Sequence, residues 1–244
     1  HDALPIYDSV DVDAATELGI PVVITPGANN RAVAEHSLTL MLALSKNLVE
    51  AQVEASKGNW AIRDAHKQFE LYGKKAGIIG LGRIGQATAK LLNALDMEVI
   101  AYDAHESEAG KKLAEYVSLD ELFARSDVIF LHCPLFPATE GIINKENIAK
   151  MKDGVILINN SRGQLVVEQD LADALNSGKV YAAGLDVVST EPIKGDNPLL
   201  TAKNCIITPH ISWAAQASRQ RIMDITVDNI KAFLEGNTVN QVNK

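Results

Sequence analysis

The chain has 244 residues, with 23 Lys and Arg against 31 Asp and Glu, a formal net charge of −8 and an apolar fraction of 47%. That length supports one large domain or two ordinary ones, with a core that needs no disulfide staples. The acidic balance, unrelieved by any basic cluster, excludes a non-specific binder of nucleic acid or anionic membrane. The longest apolar stretch, residues 38–44, is far short of the roughly 20 residues that span a bilayer. The two cysteines, Cys133 and Cys205, sit inside apolar runs without metal-ligand spacing. They read as buried thiols of a cytoplasmic protein, and no metal site is expected.

In chain order, residues 13–18 read as a short helix and 20–24 as a strand, together the tail of something larger. A long helix is predicted over 31–57. Its centre is apolar almost all round, as in a helix buried on more than one side, either inside a domain or at a subunit interface. From Lys75 onward, short apolar runs alternate with helical patterns. Strands are predicted over 75–79, 97–102, 127–132, 154–159, 180–187 and 205–208, with helices over 84–95, 119–124 and 168–176. Strands apolar on both faces and separated by helices predict an α/β fold with a doubly wound parallel sheet. A second long helix over 214–235 ends at Gly236 and leaves the sheet, and residues 239–242 return toward the N-terminal segment.

Gly80-Leu81-Gly82-Arg83-Ile84-Gly85 is a G-x-G-x-x-G directly after a predicted strand and opening a helix. Glycines there allow the tight turn and the close approach of a pyrophosphate to the backbone, and the helix N-terminus faces it with N–H groups. The discriminating companion is an acidic residue about 20 positions on, at the end of the second strand. Asp103 meets that condition. Its carboxylate suits ribose hydroxyls and repels a 2′-phosphate, and no Arg follows in Ala104-His105-Glu106, so NAD is expected over NADP.

Three further segments fall at predicted strand C-terminal ends, where open parallel sheets place ligands. They are Asn159-Asn160-Ser161-Arg162-Gly163, the run from Gly184 to Pro192, and Thr208-Pro209-His210-Ile211-Ser212-Trp213. With GLGRIG and His132-Cys133-Pro134-Leu135, this ordered set resembles the D-isomer-specific 2-hydroxyacid dehydrogenases over nearly the whole chain, from about Asp11 to Asn243. Within that family the motifs are similar to the glycerate dehydrogenase (hydroxypyruvate reductase) branch.

The resemblance implies NAD-dependent interconversion of a small D-2-hydroxy acid and its 2-oxo acid by direct hydride transfer, without a metal. It implies a catalytic set of Arg162 gripping the substrate carboxylate, His210 as general acid/base and Glu191 orienting it. Gly80, Gly82, Arg83, Ile84, Gly85, Asp103, His132, Cys133, Pro134, Ser161, Asp186 and Ser212 are implied on the cofactor, and Asn29 and Trp213 near the substrate. His36 reads as a packing or interface residue, and His132 as structural too. A Glu rather than a Gln beside the His favours hydroxyacid chemistry over formate oxidation.

The implied organisation is a Rossmann-type NAD-binding domain over 27–212, pairing into a homodimer through the 31–57 helix. Residues 1–26 are expected to be the remnant of a flavodoxin-like substrate domain, with 213–244 returning to it. An alternative is a non-catalytic, dimeric NAD(H)-binding module like the C-terminal-binding-protein corepressors, or an inactive fragment lacking half its substrate lid.

Overall fold

The computed structural model describes residues 10–65 and 68–243, so part of the expected 1–26 segment lies outside the described residues. Seven strands form one sheet: β1 (Lys75–Ile79), β2 (Glu98–Tyr102), β3 (Glu115–Tyr116), β4 (Val128–Leu131), β5 (Val155–Asn159), β6 (Val180–Leu185) and β7 (Cys205–Ile207). Their order is β3-β2-β1-β4-β5-β6-β7 and every pairing is parallel. Succession reverses between β1 and β4, so a crevice opens at the C-terminal ends of those strands, where such sheets take their ligands.

The period of two along each strand explains both cores. Ile129 and Leu131 of β4 point into one cluster with Ile79, Ile100 and Leu157, while Val128 and Phe130 point into the other with Ile78, Ala101 and Ile156. Helices cover both faces, which is why these strands read as continuous apolar runs. Burying a side chain such as Phe130, with no exposed surface, contributes about 1.5–3 kcal/mol.

Two predicted elements are corrected. The helix expected over 31–57 is two helices, Asn30–Ser45 and Leu48–Ser56. The break is at Asn47, whose backbone is left-handed (φ 49°) and whose side-chain amide donates to the Tyr181 hydroxyl on β6. Asn is among the few residues that take this conformation readily. The strand expected over 20–24 is reduced to one antiparallel bridge, Val23 to Gln241, flanked by Ile24 N–H to Asn240 O and Val242 N–H to Val22 O. Pro21 deprives that run of a donor near its start, and Pro26 lacks one two residues past its end. The same bonds bring 240–242 back onto residues 22–24. Strand β3, two residues long, is too short to be read from pattern.

The first helix, Val12–Glu17, is capped by the Asp11 carboxylate, which accepts from Ala14 N–H. The last, Gln216–Leu234, leaves the sheet and is anchored to the 24–28 segment. Ser218 Oγ and Arg221 Nε donate to Ala28 O, and Asn229 Nδ2 donates to Ile24 O.

Candidate active site

The phosphate loop turns out of β1 at Gly80, whose φ is +97°. A Cβ there would lie 2.5 Å from Cys133 N, so only glycine lets the loop pass the chain leaving β4. The helix Arg83–Ala94 begins immediately after, and no side chain caps its N-terminus at Gly82. Its first N–H groups and positive dipole end therefore face the crevice. Arg83 is exposed there, Ile84 half-buried, and Gly85 buried beneath the turn.

Asp103, just past β2, accepts from Leu81 N–H at 2.7 Å through Oδ2 and from His105 N–H at 2.9 Å through Oδ1. Its carboxylate is thus tied to the phosphate loop itself. Gly80, Gly82, Asp103, His132, Cys133 and Pro134 line one cleft of about 620 Å³, continued by Phe136, Thr139 and Asn144. Burial pushes the His132 imidazole down to about 4, and its Nε2 meets Thr88 Oγ1 at 3.0 Å. Burial pushes the Cys133 thiol up to about 12, so it is an inert wall of the cleft. A glycine turn, an uncapped helix start and a carboxylate at the second strand's end fit a dinucleotide.

The other predicted residues gather one strand further along. Ser161 Oγ donates to Cys133 O at 2.6 Å, tying the turn after β5 to the cleft wall, and Asn159 Nδ2 donates to Arg162 O at 2.9 Å. The Arg162 guanidinium donates to Ser161 O at 2.7 Å.

Asp186, with 1% of its surface exposed, is the hub of the next two turns. It accepts from Thr208 Oγ1 (2.5 Å), Ile211 N–H (2.9 Å) and Ser212 N–H (2.8 Å). Burial alone would push this carboxyl up. The hydrogen bonds from His36, Thr208, Ile211 and Ser212 outweigh it and hold the group well below the usual carboxylate range. Because the Thr208 proton goes to Asp186, its oxygen accepts from His36 Nε2–H at 3.0 Å. His36, expected as a packing or interface residue, packs here through the Asp186 network. The two residues lie far apart in sequence, and nothing local signals their meeting. Thr208 was missed for the same reason.

These bonds set the backbone of His210, which is left-handed (φ 54°) and so costly for a residue with a side chain. Trp213 Nε1–H adds a bond to His210 O at 2.9 Å. The imidazole Nδ1 lies 2.7 Å from Glu191 Oε2. A carboxylate has no proton to give, so Nδ1–H is the donor and Nε2 is left for a ligand. Asn29 stands at the N-cap of the helix Asn30–Ser45, without a side-chain cap bond. Among the described residues no group of His, Cys, Asp or Glu could hold a metal ion, and no helix is long and apolar enough to cross a membrane.

A Rossmann sheet with this loop, together with a carboxylate-paired histidine beside an arginine turn, defines a dinucleotide-dependent oxidoreductase. The model of the D-isomer specific 2-hydroxyacid dehydrogenase, NAD binding domain, matches residues 38–212. The chain belongs to that family. It is 58% identical over 244 residues to a hydroxypyruvate reductase of Blautia hydrogenotrophica, covering 98% of this chain and 76% of that one. A hydroxypyruvate reductase of Thermotoga maritima is 46% identical over 217 residues, covering 88% and 70%. The crystal structure of a D-lactate dehydrogenase from Aquifex aeolicus, complexed with NAD and lactic acid, superposes with a TM-score of 0.89 at 36% identity, covering 98% and 78%. This protein is an NAD-dependent oxidoreductase that interconverts hydroxy acids and oxo acids.

Proposed function

We propose that the substrate is a small D-2-hydroxy acid of the glycerate and hydroxypyruvate kind, with Arg162, Glu191 and His210 as the catalytic set. The observation that carries this reading is the His210–Glu191 pair, 2.7 Å apart, on a turn whose backbone is fixed by a buried carboxylate. In oxo-acid reduction His210 Nε2–H donates its proton to the carbonyl oxygen, and in the reverse direction the neutral ring removes it. Glu191 holds the ring in the Nδ1–H orientation and stabilises the cation formed on oxidation. Arg162 presents a planar fork to the α-carboxylate, which a lysine would not match. NAD, when bound, supplies or accepts the hydride. Gly80, Gly82, Arg83, Ile84 and Gly85 would hold its pyrophosphate and Asp103 its ribose, with His132, Cys133 and Pro134 alongside. Ser161, Asp186 and Ser212 would border the nicotinamide end. Asn29 would sit near the substrate, and Trp213 would wall its pocket.

In this reading 27–212 is the NAD-binding domain, while 1–26 and 213–244 belong to the substrate domain. The bonds joining Val22 and Ile24 to Asn229, Asn240 and Val242 support that division. The protein would act as a homodimer through the broken 30–56 helical segment, where Leu48, Val49, Val53 and the nearby Trp60 are exposed apolar groups. Two unpaired cysteines support a cytoplasmic setting.

The test is NADH consumption by the purified chain with hydroxypyruvate, with Arg162→Ala as control. Turnover lost in the variant supports the reading. Silence in both proteins, or equal turnover in both, overturns it.

A further inference from the structure

Glu191 is presented by an exposed excursion of the chain, and both ends of that excursion meet at one carboxylate. Glu168, in the first turn of the helix Glu168–Ser177, accepts from Ser189 N–H at 2.8 Å through Oε1. Its Oε2 accepts from Ser189 Oγ and from Asn197 Nδ2, both at 2.9 Å. Thr190, Glu191, Pro192, Lys194, Gly195 and Asp196 between them are exposed, so little packing holds the loop from outside.

Two further contacts seat its near end against the Arg162 turn. Gln164 Nε2 donates to Ser189 O at 3.1 Å. Gly163 lets the chain approach so closely that a Cβ there would lie 1.9 Å from Val188 C. Glu191 Oε1 then accepts from Val188 N–H at 3.3 Å while Oε2 reaches His210. None of the Glu168 bonds touches the reacting groups. All of them set where the backbone on either side of Glu191 must run.

We propose that Glu168 is a positioning residue that staples the two ends of the 189–197 loop and thereby sets the Glu191 carboxylate against His210 Nδ1. This rests on the roles given above to Glu191 and His210. A fixed loop spares the reaction the ordering of a flexible one, and a misplacement near 1 Å in a catalytic set costs on the order of 100-fold.

The experiment compares Glu168→Ala and Glu168→Gln, each alone and combined with Glu191→Ala. It reads kcat, KM and NADH affinity with hydroxypyruvate. It also reads the 15N shifts of the His210 ring through its carbon-bound protons, which report the nitrogen that carries the proton. Glu168→Ala is expected to lower kcat about 10-fold or more with NADH affinity unchanged. It should also move the His210 ring toward the tautomer of Glu191→Ala, and add little in the Glu191→Ala background. Glu168→Gln, which keeps one acceptor oxygen, should fall between.

An unmoved His210 spectrum, or effects that multiply with those of Glu191→Ala, would overturn the proposal, since a merely structural carboxylate would give that result. If the unaltered protein does not turn over hydroxypyruvate, the functional reading fails, yet the ring spectra still decide the role of Glu168. Should Glu168→Ala not fold, Asn197→Ala releases one end of the loop alone, and an unchanged His210 spectrum there overturns the staple.

Discussion

The two halves of the ligand-binding edge are built by different means. At β1 and β2 the site is backbone: a glycine turn, a helix start and one carboxylate tied back to the same loop, all within residues 80–105. At β5, β6 and β7 it is side chains on three turns, with Asp186 drawing in residues as far apart as His36 and Ser212. A backbone site tolerates changes of side chain and fails when any Cβ is added where there is no room. A side-chain site tolerates neither the loss of its reacting groups nor the loosening of what orients them. Cofactor binding and turnover should therefore be separable by substitution.

The largest effect should come from Gly80→Ala. The new methyl meets Cys133 N at 2.5 Å on a backbone with φ of +97°, at a cost of about 1–3 kcal/mol in overpacking and a similar amount in strain. NADH affinity, followed by fluorescence titration, should fall at least about 100-fold, and near-normal affinity would break the contrast. His210→Asn comes next. A kcat lower by about 10²–10⁴-fold is expected with NADH affinity preserved, and a parallel loss of both would show that the halves are not independent.

Asp186→Asn sharpens the contrast from inside the second half. It replaces one of the two acceptor oxygens, Oδ1 facing Ile211 N–H or Oδ2 facing Ser212 N–H, by a competing donor, costing about 1–3 kcal/mol of stability at pH 7. Because the native carboxyl is held below its ordinary value, its contribution is fully present above about pH 4 and is lost as pH falls further. Thermal unfolding across pH should show the variant's deficit shrinking in acid, and a pH-independent deficit would refute the assignment.

The smallest effect concerns His132 in the first half. Its imidazole, half-buried in the cleft wall, is pushed down to about 4 in the fold, so the unfolded chain takes up its proton first as pH falls. Native stability should drop between about pH 6.5 and 4. His132→Gln should flatten that limb by a few degrees in Tm, and an unchanged limb would assign the acid loss elsewhere.

The apolar runs from Lys75 onward, the GLGRIG loop and Asp103 were legible because each depends on neighbours in the chain. A strand buried on both faces needs a continuous apolar run, and a phosphate turn needs its glycines at a fixed spacing. Local physics of that kind carried the sheet and the cofactor, while Arg162, Glu191 and His210 were candidates only through the resemblance of their motifs to a known family. Only the tertiary structure decided the break at Asn47, the passage of His36 into the Asp186 network and the closure of the Glu191 loop on Glu168. Each rests on a hydrogen bond between segments whose proximity the sheet order creates: Asn47 with Tyr181, His36 with Thr208, Glu168 with Ser189 and Asn197. A short polar side chain looks the same in sequence whether it meets water or a buried partner, and only the folded register chooses between them.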